Sequence, residues 1–132
     1  MIEIRDITIS ADRQSVYLWV DPCYRKTAKI AGLGTRLIER LPNLRYHLCE
    51  NFAGRMFVDE LIDTETAHAF EHVLIELLGE LDPKIEIIRA FTKWNWADYG
   101  RDVYVVEVFY LNISKFKKAL KATNDLFRNL CP

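Results

Sequence analysis

The sequence predicts an α+β fold, a two-layer sandwich in which helices pack on a mainly antiparallel sheet. Short apolar segments predict four strands, and longer segments with apolar residues every three or four positions predict three helices. Their order, strand–strand–helix–loop–helix–strand–strand–helix, lacks the regular alternation that builds a parallel sheet. A chain of 132 residues has room for one ordinary core, so we expect a single domain over residues 1–132.

The first two predicted strands cover residues 1–10 and 15–20 and are joined by a short polar turn. In the first strand, the positions of the apolar residues slip by one after Ile4, which predicts a bulge or bend. The second strand is apolar on both of its faces, so we expect both faces to be covered.

A helical pattern follows from about residue 25 to residue 41. Two glycines weaken its first half and place the start of the ordered helix near Thr35. Pro42 ends this helix, and the irregular segment 44–63 comes next. Long irregular segments in compact domains are often functional, so this segment is a candidate part of a site.

The central helix has the clearest pattern in the chain. We expect it to begin at Asp63 or Thr64, either of which can cap its first turn, and to end near Gly79. On a helical wheel, His68 and His72 lie opposite the apolar stripe that should face the core. That stripe consists of Ala67, Phe70, Val73, Leu74, Leu77 and Leu78.

The last third of the chain predicts two further strands and a helix. The first strand covers residues 84–92, and an aromatic and polar loop over residues 93–101 follows it. Residues 103–111 are apolar at nearly every position, which is typical of a central strand. The one charged residue of that strand is Glu107. A helix with a single stripe of core residues completes the chain.

Composition narrows the functional classes. A formal net charge of −1 gives no overall attraction to nucleic acid or to anionic membranes, so we expect neither as a partner. No apolar run approaches the ~20 residues that a membrane span needs. The three cysteines are irregularly spaced and form no Cys-x-x-Cys pair, which favours free thiols in a reduced, cytoplasmic protein. The exposed aromatic residues allow a homodimer without requiring one.

The motif His68-x-x-Glu71-His72 lies on the central helix. Side chains four residues apart on a helix point the same way, and Glu71 lies beside the two imidazoles. Two nitrogen ligands and a general base are what a catalytic zinc site requires, and their order matches the inverted zincin motif. The alternative interpretation is a solvated helix face with weakly stabilising histidine–glutamate pairs.

A catalytic zinc needs a third protein ligand. His47 is the preferred candidate because it is the remaining histidine and lies in the irregular segment before the central helix. Glu76, one turn beyond the motif, is either a ligand or a group that orients a histidine. Glu107 is a further candidate because a carboxylate on an apolar strand needs a partner if it is buried. Asp98 is a weaker option, and Cys49 ranks below the histidines because a lone cysteine is usually a small apolar residue.

The surrounding sequence carries a longer pattern. Its parts are Leu41-Pro42-Asn43-Leu44, His47-x-Cys49, Gly54-x-x-Phe57 and His68-x-x-Glu71-His72-Val73-x-x-Glu76-Leu77. This arrangement resembles the N-terminal domain of cyanophycin synthetases, with the match centred on residues 35–78. The resemblance implies a stand-alone relative of that domain. It does not predict polymer synthesis, because the ATP-grasp and ligase domains that build the Asp-Arg polymer are not part of this sequence.

The resemblance also implies an activity, namely zinc-dependent hydrolysis of peptide or isopeptide-type amide bonds. A peptide or a cyanophycin-like polymer would be the substrate. By position, His68 and His72 would be metal ligands, Glu71 the general base, and His47 and Glu76 supporting or ligating groups.

Two departures from the family pattern affect the substrate loop more than the metal site. The loop has a single glycine, Gly54, and Ala67 stands where the family has glycine. The alternative function is therefore a non-catalytic module that keeps the family fold and binds a polymer or a protein. In that case the aromatic loop with Trp94, Trp96 and Tyr99 would provide the contacts.

Overall fold

A computed structural model describes residues 1–49, 56–85, 88–94 and 96–131 of the chain. It contains one four-stranded sheet in which all neighbouring strands are antiparallel, in the order β1-β2-β4-β3. The strands are β1 (Ile2–Ile9), β2 (Gln14–Val20), β3 (Ala90–Trp94) and β4 (Val103–Val108). Helices pack on this sheet, which confirms the predicted α+β sandwich.

Five helices are present in the described residues, and two of them are long. They are α1 (Leu33–Arg40), α2 (Phe57–Glu60), α3 (Thr66–Leu81), α4 (Trp96–Tyr99) and α5 (Ile113–Leu130). The long helices α3 and α5 lie side by side over the sheet, and the ring centroids of Phe70 and Phe127 are 5.3 Å apart between them. Helix α5 contacts β1, whereas α3 lies over β2, β4 and β3. Helix α3 therefore sits at the β3 end of the sheet.

The sheet buries apolar residues on both faces. On the inner face, alternate residues of β2 and β4 such as Leu18 and Val106 are fully buried in the main core with α3 and α5. On the outer face, Tyr17, Val103 and Val105 form a smaller cluster, and the ring of Tyr99 in α4 lies 4.3 Å from that of Tyr17. Strand β4 is thus covered on both sides, as its sequence predicts.

The prediction of a bulge in β1 is confirmed, because the pairing of β1 with β2 shifts register between Ile4 and Asp6. Several element boundaries differ from the prediction. Helix α1 begins at Leu33, where Gly32 takes the left-handed conformation with φ +73°, and short 3-10 turns precede it. Strand β3 begins at Ala90 rather than at residue 84. The short helix α2 has too few residues to produce a periodic pattern.

Helix α3 begins at Thr66 with Glu65 as its N-cap, one or two residues after the predicted N-cap Thr64 or Asp63. The predicted capping residue Thr64 uses its hydroxyl group for a hydrogen bond with His68, at 3.0 Å from Nδ1, and so does not cap the helix. The helix continues through Gly79 to Leu81. Within the described part of the chain, no helix combines the length and the hydropathy needed to cross a bilayer.

Candidate metal centre

The face of α3 opposite its apolar stripe borders a cleft with a volume of about 730 Å³. The other walls of the cleft are the segment from Tyr46 to Cys49 and strand β3. His68, Glu71 and His72 line this cleft. His72 and Glu71 are only 4 % and 5 % exposed. The alternative interpretation of a solvated helix face is therefore wrong.

Phe57 explains why this polar face is buried. It is itself fully buried in α2, and its ring stacks on that of His72 with the centroids 4.0 Å apart and the planes inclined by 15°. The ring of His68 meets the same phenylalanine edge-on at 5.7 Å. Packing of an aromatic ring on both imidazoles restricts their rotation.

Three side-chain atoms converge beside this phenylalanine. His68 Nε2 and His72 Nε2 are 3.1 Å apart, and Cys49 Sγ lies 3.7 Å from the first and 3.5 Å from the second. Tetrahedral zinc with bonds of about 2.0–2.1 Å to nitrogen and about 2.3 Å to sulfur requires separations of about 3.3 Å between nitrogens and about 3.6 Å between nitrogen and sulfur. The cluster Cys49–His68–His72 therefore fits one triangular face of a zinc site.

The far side of each imidazole also has a partner. His68 Nδ1 lies 3.0 Å from the Thr64 hydroxyl, and His72 Nδ1 lies 3.0 Å from His47 Nδ1. His47 Nε2 in turn lies 2.9 Å from a carboxylate oxygen of Glu76. One assignment satisfies the three outward contacts: the Nδ1–H of each clustered histidine donates outwards, and the Nε2–H of His47 donates to Glu76. Both Nε2 lone pairs then point into the cluster.

The placement of His47 differs from the expectation that it is the third ligand. Both of its ring nitrogens are engaged away from the cluster, and Cys49 occupies the third corner. The two residues point the same way because they are two apart in an extended segment that runs antiparallel to α3. His47 therefore meets His72 and Glu76, and Cys49 meets the preceding turn of the helix.

Glu71 lies directly beside the cluster. Its Oε2 is 3.6 Å from His72 Nε2, and its Oε1 accepts a hydrogen bond of 2.7 Å from the hydroxyl of Thr92 in β3. The structure thus brings the candidate base, the two motif histidines and the edge of the sheet together.

Glu107 is not part of this site, contrary to the suggestion that it is an alternative ligand. It lies on the outer face of β4, where its carboxylate is 3.2 Å from Arg13 and 3.3 Å from Lys93. The strand pattern places Glu107 on the same face as Val105, but α3 packs on the opposite face. These two cations balance its charge.

Burial sets the protonation of the cluster. Burial, with His68 and His47 nearby, lowers the pKa of His72 to about 2, and burial also lowers the pKa of His68. Both rings are therefore neutral near pH 7, which is the form that binds a metal. Burial and a hydrogen bond with Glu60 raise the pKa of the Cys49 thiol. A metal that binds at this cysteine must displace its proton.

Four contributing residues were missed by sequence reasoning: Phe57, Glu60, Thr64 and Thr92. Thr64 precedes His68 by four residues, a helical spacing that offered a usable signal. Thr92 reaches the site through the fold alone and leaves no local signal. Gly54, the single glycine of the predicted substrate loop, and the side chain of Trp96 lie outside the described residues.

Comparison with protein families places this site in a known context. The family described as cyanophycin synthase-like N-terminal domain matches residues 15–132, a range that contains the complete cluster and its supporting residues. No curated protein matches the chain. The matched range extends the resemblance noted around residues 35–78 to nearly the whole sequence. The chain therefore belongs to the family of cyanophycin synthase-like N-terminal domains.

Proposed function

We propose that this protein is a zinc-dependent hydrolase of peptide or isopeptide-type amide bonds. The observation that carries the proposal is the triangle of Cys49 Sγ, His68 Nε2 and His72 Nε2, with the carboxylate of Glu71 next to it. Among the described residues three candidate ligands meet here, and three protein ligands, with the fourth position left to water or substrate, are the pattern of catalytic rather than structural zinc sites. The cleft beside the triangle offers room for a substrate.

In this proposal Cys49, His68 and His72 hold the metal. When bound, zinc polarises an amide carbonyl and lowers the pKa of water towards ~7. His47 and Glu76 act behind His72, where their hydrogen bonds fix its tautomer and the direction of its ring.

Glu71 is the proposed general base and general acid. It takes a proton from the attacking water as the water oxygen bonds to the carbonyl carbon. It then returns the proton to the amide nitrogen as the carbon–nitrogen bond breaks, which yields a carboxylic acid and an amine. The hydrogen bond from Thr92 holds the other carboxylate oxygen and so fixes the direction of Glu71.

Membership of the family makes a cyanophycin-like polymer the first candidate substrate. The free thiol of Cys49 supports a reducing compartment such as the cytoplasm, because a disulfide would remove it from the cluster. The second candidate function is a non-catalytic module that binds a polymer or protein. It is favoured by the exposure of Tyr46 (75 %), Leu48 (68 %) and Trp94 (58 %) at the cleft.

Metal content and hydrolysis measured on the same preparations test the proposal. We expect about one zinc per chain by elemental analysis, and zinc-dependent release of amines from cyanophycin or from a mixture of capped peptides. Cys49→Ser and His72→Ala should lose the zinc. Glu71→Gln should keep it and lose hydrolysis by about 10²–10⁴-fold. Cys23→Ser is the matched control, because Cys23 is exposed and is not part of the cluster.

Failure to take up zinc would contradict the proposal. Zinc binding without hydrolysis of either substrate would favour the binding module. Equal hydrolysis by Glu71→Gln and the parent protein would remove Glu71 from its proposed role.

A further inference from the structure

We propose that the substrate binds as an extended polypeptide backbone that adds a fifth strand to the sheet, along the free edge of β3. This inference rests on the proposed function, because it concerns how a peptide reaches the same centre. It specifies that the substrate is an extended chain recognised through its main-chain groups. It also specifies that strand β3 is the wall of the cleft that binds this chain.

Strand β3 is the last strand in the order β1-β2-β4-β3 and pairs with β4. In the part of the chain that the structure describes, no strand lies on its other side. An edge of this kind presents a row of main-chain donors and acceptors to an incoming strand.

The register shows which main-chain groups face outwards. The N–H of Phe109 donates to the carbonyl of Arg89 at 2.9 Å, so this opposed pair is a hydrogen-bonded one. Hydrogen-bonded and non-hydrogen-bonded pairs alternate in an antiparallel ladder. The groups of Phe91 and Lys93 therefore face β4, and the N–H and C=O groups of Ala90 and Thr92 point towards the outer edge.

The side chains of Ala90 and Thr92 lie on the inner face, towards the candidate centre, together with that of Trp94. Ala90 packs against the main core, the hydroxyl of Thr92 donates to Glu71, and the ring of Trp94 meets Tyr104 at 6.0 Å. One residue, Thr92, thus has outward main-chain groups and a side chain bonded to the candidate base. A strand that pairs with Thr92 would pass directly beside Glu71.

The dimensions and the walls of the cleft suit an extended chain. Five residues of β3 span about 17 Å at ~3.4 Å per residue, so the edge can pair with about five substrate residues. On the other side of the cleft, Tyr46 and Leu48 are exposed, and Trp94 is exposed on the edge strand itself. Alternate side chains of a paired strand would point towards these apolar groups, and Glu60, Glu65 and Arg89 would offer polar contacts.

Amide hydrogen exchange followed by NMR tests the binding mode in zinc-loaded Glu71→Gln, in which a peptide should bind but not be cut. The probe is a mixture of capped hexapeptides with randomised residues, because main-chain pairing tolerates different side chains. We expect the amides of Ala90 and Thr92 to exchange at least about threefold more slowly with the probe. Those of Phe91 and Lys93 should not change. Protection of all four amides, or of none, would overturn the proposal.

A pair of variants tests the same edge by affinity. Ala90→Pro removes an outward N–H and no bond to β4, so an edge strand can accept it. It should weaken binding of the probe about three- to tenfold relative to Ala90→Val, which also changes the side chain but keeps the N–H. Equal affinity of the two variants would contradict the proposal. If Ala90→Pro does not fold, the exchange pattern of the Glu71→Gln protein decides.

These outcomes separate this inference from the proposed function. Alternating protection without hydrolysis by the parent protein would support the binding mode and contradict the hydrolase. Hydrolysis without alternating protection would keep the hydrolase and overturn the binding mode. Protection that appears at high protein concentration without the probe would show that a second copy of the chain occupies the edge, which would also overturn it.

Discussion

His72 is the residue on which the candidate centre depends most. Its Nε2 belongs to the cluster, its Nδ1 faces His47, and its ring lies flat on Phe57. A neutral imidazole has a single N–H, so a bond at Nδ1 leaves the lone pair of Nε2 available to a metal. Stacking fixes the plane of the ring, and the hydrogen bond fixes its rotation within that plane. The residue is thus held in one geometry before any metal arrives.

At the residue scale, replacement of His47 tests whether it orients the metal ligand His72 or is itself a metal ligand. His47→Phe keeps a ring of similar size and removes both nitrogens. We expect zinc affinity to fall about 10–100-fold, as is typical on loss of an outer partner of a metal-bound histidine, with the stoichiometry still about one zinc per chain. Competition with a chromophoric chelator measures the affinity.

Glu107→Gln is the control for His47→Phe, because this carboxylate lies on the other face of the sheet and contacts Arg13 and Lys93. It should not change zinc affinity. Complete loss of zinc in His47→Phe would identify His47 as a ligand. An unchanged affinity would show that its bond to His72 does not matter for the metal.

At the element scale, α3 is a helix with two buried faces of different chemistry. Its apolar face packs against α5 through Phe70 and Phe127, and its polar face is covered by Phe57 of α2. The apolar face stabilises the fold. The polar face should stabilise the fold and also position the cluster. These two roles of the polar face can be separated by experiment.

Phe57→Ala and Phe127→Ala form a matched pair, because both side chains are fully buried. Each should lower the free energy of unfolding by about 3–5 kcal/mol, measured by urea denaturation with EDTA present. In the folded fraction, only Phe57→Ala should also lower zinc affinity, because it removes the ring stacked on His72. Equal zinc affinity in the two variants would show that stacking does not hold the imidazole.

The sequence predicted those parts of the fold that depend on periodicity. The four strands follow from short apolar segments, the bulge after Ile4 from a slip in the apolar positions, and the buried β4 from its nearly continuous apolar run. The long helices follow from their apolar stripes. Boundaries were less predictable because they depend on tertiary contacts. Helix α3, for example, begins at Thr66, where the N–H donates to the carbonyl of Arg25 on a distant segment at 2.8 Å.

The candidate site was predictable where its residues share one helix. His68, Glu71 and His72 are linked by spacing alone, whereas Cys49 and Thr92 join them only through the path of the chain. The sequence pattern placed Glu107 on one face of its strand but could not decide which face the helices cover, because both faces of that strand are apolar.

At the scale of the whole molecule, the candidate site is continuous with the main core. The main core contains residues from Ile2 to Cys131, including Cys49, Phe57 and the apolar face of α3. A metal that binds only the folded state stabilises it by mass action, by about 2.7 kcal/mol at a free concentration 100 times the dissociation constant. Without metal, the same buried histidines should make the fold sensitive to acid.

The sign of this acid effect follows from the pKa of His72, which burial lowers to about 2 in the folded protein. In the unfolded chain the value is about 6.5, so below this pH the unfolded state binds one more proton than the folded state. The contribution of His72 to the free energy of unfolding is therefore retained above pH 6.5 and lost progressively as the pH falls below this value. His72 alone should lower the free energy of unfolding by about 2 kcal/mol between pH 7.5 and pH 5.

Urea denaturation of the metal-free protein, with EDTA at each pH, measures this loss. His68 should add to it, because burial lowers its pKa in the same direction. His72→Gln is the informative variant, because it removes the titrating group but keeps a polar side chain. Between pH 7.5 and pH 5 its free energy of unfolding should fall by about 2 kcal/mol less than that of the parent protein. If the free energies of unfolding of the parent and His72→Gln fall in parallel with pH, the imidazole of His72 accepts a proton in the folded state as readily as in water. In that case the close packing of Phe57 on its ring would not exclude solvent from the cluster.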